Sequence, residues 1–176
     1  MPKAVLSKID VARRQLVTAI RLYFNWGDEV SIHTLAAAAR NVLCDLCERR
    51  GATSPLLLDN LLDDFVKPEH YKEVRNKFRE SENFFKHADR DSEGGLTFNP
   101  ETTDYMLIEA VEAYAILTGE RVPEFHVYRA WWMLHHQHYF AKAPDAFRRN
   151  LSGVSYAASQ RTQYFIEMLS VMANQG

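Results

Sequence analysis

The sequence predicts an all-α protein, and three observations predict it. Apolar residues recur at i, i+3 and i+4 along most of the chain. No stretch alternates apolar and polar residues for more than four positions. Seven Gly and six Pro among 176 residues are too few for a turn-dense β-chain. A chain of this length buries about 70% of its extended surface on folding, enough for one self-sufficient core. Residues 1–176 are therefore read as a single helical domain of seven or eight helices. No internal repeat or linker divides it, and heptads are not sustained, so the bundle is globular and not a coiled coil.

The elements follow from their caps and stripes. Ser7 is placed to cap a first helix to about Asn25, with Asp10 as the acidic half of a capping box. Its apolar residues Ile9, Ala12, Leu16, Ala19, Ile20 and Tyr23 share one face, and Trp26-Gly27-Asp28 ends it. Ser31 is expected to cap a second helix that reaches Arg50 and stops at Gly51. Its stripe is Ile32, Leu35, Ala39, Val42 and Leu46, and the small side chains of Ala36 to Ala38 let a neighbour approach closely. Ser54-Pro55 opens a short helix to about Phe65, and Pro68 a long one through about Asp89. Gly94-Gly95 and Asn99-Pro100 mark a loop. Thr102 or Thr103 is expected to cap a helix to Thr118 that ends at Gly119. Pro123 starts an aromatic-rich helix to about Phe140, and Pro144 a short one to Leu151. The last helix covers about Val154 to Ala173.

Composition removes several classes of function. A net charge of −2 excludes a protein that grips nucleic acid by overall charge and leaves only a local basic patch. Two cysteines exclude a disulfide scaffold. Lys8 and Asp10 break the apolar run that a secretory signal needs, and nowhere do 18 apolar residues run together. The expectation is a cytoplasmic protein with no membrane partner and no cofactor. No glycine-rich phosphate loop, G-x-S-x-G or H-E-x-x-H is present.

One segment carries chemistry. On a helical wheel of the Pro68–Asp91 stretch, Val74, Phe78, Ser81, Phe85 and Ala88 share a core-facing sector, with Tyr71 at its edge. The opposite sector holds Lys72, Arg75, Asn76, Arg79, Asn83, Lys86, His87 and Arg90, with Glu73, Glu80 and Glu82 at its margins or outside it. Arg75, Arg79, Asn83 and His87 form an i, i+4 ladder. A polar face opposite an apolar one is usually just solvated. Surface helices, however, normally intersperse both signs, and like charges on one face repel unless an anion sits there. Arginine forks suit phosphate oxygens, and an imidazole trades protons near neutral pH. Asn83 would hold that ring or a substrate oxygen, with Asp89 and Asp91 near enough in sequence to orient it.

The stretch Glu82-Asn83-Phe84-Phe85-Lys86-His87-Ala88-Asp89 resembles the helical motif of HEPN domains, an Arg, often followed by Asn, with His four to six residues after the Arg. The two opening helices, the second rich in Ala, resemble that family as well, and the likeness spans about Ser7 to Gly119. Ser31-Ile-His-Thr-Leu-Ala-Ala-Ala and Asn83-Phe-Phe-Lys-His-Ala-Asp also look like segments of helical bacterial proteins without an assigned function. The HEPN resemblance implies a helical, commonly dimeric protein, in many members a metal-independent ribonuclease with Arg and His lining a cleft between protomers. Asn83 and His87 match the motif's Asn and His. Glu82 stands where its Arg belongs, and Arg79 lies one turn earlier on the same face.

Other constellations read as structural. Cys44 and Cys47 form C-x-x-C in mid-helix, away from the helix N-terminus where such motifs are activated, and read as inert. His33 reads as a surface or rim residue. His135 and His138, one turn apart, read as the rim of an apolar aromatic helix; with Glu124 they would form part of a metal site. Three readings result. The first is an RNA- or nucleotide-binding helical protein using Lys72, Arg75, Arg79, Asn83, Lys86, His87 and Arg90, with RNA cleavage assisted by His87 as its catalytic version. The second is a non-catalytic homodimeric interaction module. The third is a His/Asp metal-binding bundle.

Overall fold

The computed structural model describes residues 5–53, 67–86, 93–136 and 156–174, apart from the side chains of Tyr71, Val74, Lys77 and Phe78. Its regular elements are all helical: α1 (Lys8–Phe24), α2 (Glu29–Arg50), α3 (Tyr71–Lys86), α4 (Glu101–Thr118), α5 (Pro123–His135) and α6 (Arg161–Ala173). The helices expected at about 55–65 and 144–151 lie outside the described residues, so six α-helices stand where seven or eight were expected. None is long and apolar enough to cross a membrane.

Local chemistry sets the helix ends. Ser7 accepts the Asp10 N–H while the Asp10 carboxylate accepts the Ser7 N–H, the expected capping box. At α2 the cap is Asp28 and not Ser31. The Asp28 carboxylate accepts the Ser31 N–H at 2.7 Å, which puts Ser31 inside the first turn. Gly51 ends α2 with φ +62°, the left-handed backbone that glycine adopts without strain. Gly27 is needed for space, because a Cβ there would lie 2.9 Å from Leu22. Neither threonine caps α4. Asn99 Oδ1 accepts the Glu101 N–H at 3.0 Å, and Thr103 is turned inward. α3 is preceded by a 3₁₀ turn at Pro68–His70. The last helix likewise opens with a 3₁₀ turn at Ala158–Gln160, later than expected.

Pairings along the helices give the topology. His33 meets Thr103, Arg40 meets Glu109 and Cys47 meets Ala113, so α2 and α4 run parallel. Arg13 meets Glu120 and Arg21 meets Glu124, while Tyr114 meets Phe125 and Tyr105 meets Trp132. α5 therefore returns antiparallel to α4 and alongside α1. Parallel neighbours need a long crossover, and the segment carrying α3 supplies it.

α4 sits at the centre, with every residue from Met106 to Tyr114 buried. The alanines of α1 (Ala12, Ala19), α2 (Ala36, Ala37, Ala39) and α4 (Ala110, Ala113) line the core and allow close approach of the backbones. A second concentration of packing surrounds Phe24, which is stacked on Phe165 at 4.5 Å and met edge-on by Tyr128 and Trp131. Phe24 thereby joins α1, α5 and α6. Replacing Phe24 by Ala is expected to cost about 3–5 kcal/mol, read as a lower urea midpoint with little change in slope.

Candidate nucleic-acid interface

α3 turns unlike faces in two directions. Ser81 and Glu82 are buried, and Phe85 is half-buried against the rings of His33 and Phe98. Lys72, Asn76, Arg79, Asn83 and Lys86 are exposed, and Arg75 is half-buried. His87 and Arg90 lie outside the described residues, as do Ala88, Asp89 and Asp91.

The cationic row meets an acid at its C-terminal end. Glu82 Oε1 accepts hydrogen bonds from Lys86 Nζ at 2.5 Å and from Asn41 Nδ2 at 2.5 Å. Lys86 is thus part of an i, i+4 ion pair, and position 82 points into the protein toward α2. Behind Glu82 the polar chain continues. Arg40 Nη1 donates to Asn41 Oδ1 at 3.3 Å, and Arg40 Nε donates to Glu109 Oε2 at 2.5 Å. Each of the two buried carboxylates in this chain has a cationic partner, which is what makes their burial tolerable.

His33 is not at the surface or rim. It is completely buried, its Nδ1 sharing a hydrogen bond of 2.9 Å with Thr103 Oγ1, its ring edge-on to Phe85 and Phe98. Nε2 has no hydrogen-bond partner among the described residues. Burial lowers the His33 pKa; Glu82 opposes this and Lys86 adds to it. The reason for the misplacement is that α2 is buried on two faces, one against α1 and the other against α4. A single-stripe reading sees only one of them. The same second face holds Cys44 and Cys47, whose thiols burial pushes up, away from nucleophilic thiolate.

The remaining histidine cluster is differently occupied. His135 Nδ1 lies 3.0 Å from the Trp131 carbonyl and Nε2 lies 3.1 Å from the Tyr156 carbonyl. Glu124 is held by Arg21 at 2.5 Å, and His138 lies outside the described residues. No group of three or more His, Cys, Asp or Glu among the described residues is placed to hold a metal ion.

Sequence reasoning also missed a cluster where the ends of α1, α2, α4 and α6 meet. Asp104 lies there among Tyr23, Tyr128, Glu101 and Arg161. Burial raises its pKa to about 6, with the two tyrosine hydroxyls and Arg161 pulling down and Glu101 pushing up. Burial likewise pushes Tyr23 up to about 12. These residues come from separated segments and form no motif, so no spacing announces them.

The chain matches no family model, no curated protein and no solved structure.

Asp104 gives a pH signature. Its native pKa lies above the ordinary 3.8, so the folded state keeps a proton that the unfolded chain releases. Stability therefore falls as pH rises from about 4 to about 6, by roughly 2–3 kcal/mol for this group. Urea unfolding across that window is expected to show the fall in the wild type and a flatter profile in Asp104→Asn.

Proposed function

We propose that the protein binds RNA, holding its phosphates along the outer face of α3. The observation that carries the proposal is the exposed row of Lys72, Arg79 and Asn83 on a helix whose opposite face is packed into the protein. Of the acids on the same helix, Glu82 is directed inward to Asn41, while Glu73 and Glu80 are exposed at the margins of the row. Arg79 presents a guanidinium fork suited to a phosphodiester, Lys72 a point charge two turns earlier, and Asn83 an amide that donates to a phosphate or ribose oxygen. Arg75 and Lys86 flank the row, and His87 and Arg90 extend it in sequence. The HEPN resemblance supports the same reading through Asn83 and His87.

The proposed activity is binding without cleavage. Glu82 stands where the motif has Arg and is turned toward α2. Binding of a short single-stranded RNA, followed by fluorescence anisotropy over a range of salt, tests the proposal. Affinity is expected to fall with salt at about −0.7 log units per log unit for each phosphate neutralised by Lys or Arg, near −2 where Lys72, Arg75 and Arg79 each neutralise one. Arg79→Ala should weaken binding about tenfold and shallow that slope. Equal affinity of Arg79→Ala and wild type, or binding indifferent to salt, would refute it. RNA recovered intact is expected; cleavage that disappears in His87→Ala would move the reading to its catalytic version.

A further inference from the structure

Away from α3, a cavity of about 160 Å³ opens between the C-terminal end of α1 and the N-terminal ends of α2, α4 and α6. Engineered cavities of about this size hold a molecule as large as benzene, so the space admits a compact ligand. Its chemistry is uneven. Asp104 lies inside, Glu29 and Glu101 stand at the exposed rim, and Ile32, Pro100 and the Tyr23 ring supply apolar wall. Against three carboxylates there is one cation, Arg161.

Arg161 is already engaged elsewhere. Its guanidinium lies 3.5 Å from the centre of the Trp26 ring and 4.6 Å from that of Tyr23, a double cation–π seat. Asp104 and Glu101 are three residues apart on α4, hence neighbours on one face, and the Glu101 charge disfavours ionisation of Asp104. A second positive charge between them would relieve that repulsion. The carboxylates do not converge in a group able to hold a metal ion. The apolar wall on the other side suits a short alkyl chain.

We infer that this cavity is a binding site for a compact alkylammonium ligand, its ammonium between Asp104 and Glu101 and its alkyl part against Ile32 and Pro100. The site is independent of the basic face of α3. Binding requires ionised Asp104, so affinity falls as pH drops through about 6, where Tyr23, Tyr128, Arg161, Glu101 and Glu29 are the groups that face it.

The experiment is an NMR titration of the full chain with n-butylammonium, following the Ile32 methyl resonances, with butyrate and n-butanol in parallel. Saturable shifts at Ile32 with butylammonium, weakened about tenfold or more by Asp104→Asn and also by Glu101→Gln, are expected. Glu101 is at the exposed rim, so Glu101→Gln reports on the site even if Asp104→Asn disturbs folding. Absence of saturable shifts overturns the inference, and so does binding unchanged in both variants. Butyrate binding in place of butylammonium also overturns it. That result would assign the cavity to anions through Arg161, whose Nε has no hydrogen-bond partner among the described residues.

Discussion

A central helix that is buried yet carries acid is the constraint on which the arrangement depends. α4 has Glu109 and Glu112 inside a run of otherwise mostly apolar buried residues. A buried carboxylate without a partner costs several kcal/mol, so each must find a cation from a neighbouring helix. Arg40 of α2 reaches Glu109 at 2.5 Å, and Arg129 of α5 reaches Glu112 at 2.6 Å. Close packing resists a slide of α2 or α5 along α4, and charge adds to that resistance. The two ion pairs fix the registers, because a slide of one turn moves the charges apart by about 5.4 Å.

The same constraint reaches the surface. Arg40 uses its second arm on Asn41, and Asn41 holds Glu82, so the orientation of α3 is tied to an acid in the core. Ser81, Glu82 and Phe85 are directed inward, and Asn83 and Arg79 stand in solvent. The tie also has a cost for phosphate binding. Glu82 takes Lys86 as its second partner, so the end of the row nearest Asn83 has less net positive charge than the sequence pattern alone conveys. The proposed interface is therefore weighted toward Lys72 and Arg79.

What the sequence showed plainly was governed by local rules. The capping box at Ser7, the stop at Gly51, the stop at Gly119 and the inward placement of Ser81 follow from residues within a few positions of one another. The errors have equally definite causes. Ser31 is a good capping residue, but Asp28 is better placed, and a cap once supplied leaves the next hydroxyl inside the helix; α4 begins after Pro100 without a side-chain cap, and Thr103 is turned inward. His33 went astray because a helix packed on two sides has no single apolar stripe. Asn41–Glu82 and Tyr23–Asp104–Arg161 join residues far apart in the chain, and no periodicity encodes such meetings.

Asp104 is the group least accountable as a structural element. A half-buried carboxylate whose surroundings raise its pKa weakens the fold at neutral pH, whereas an amide of the same shape would carry no charge to desolvate. Arg161 does not remove the difficulty, since its charge is directed at Trp26 and Tyr23 and leaves Asp104 well above the ordinary carboxylate range. Trp26 adds to the local cost, being a non-glycine residue at φ +55° with its indole more than half exposed. A carboxylate with a raised pKa lines the cavity, and Arg161, which also lines it, lies over the exposed Trp26 of the neighbouring turn. Strain and perturbed acids of this kind concentrate where a protein handles a ligand, and a cation in the cavity would lower the cost of the carboxylate by pairing with Asp104.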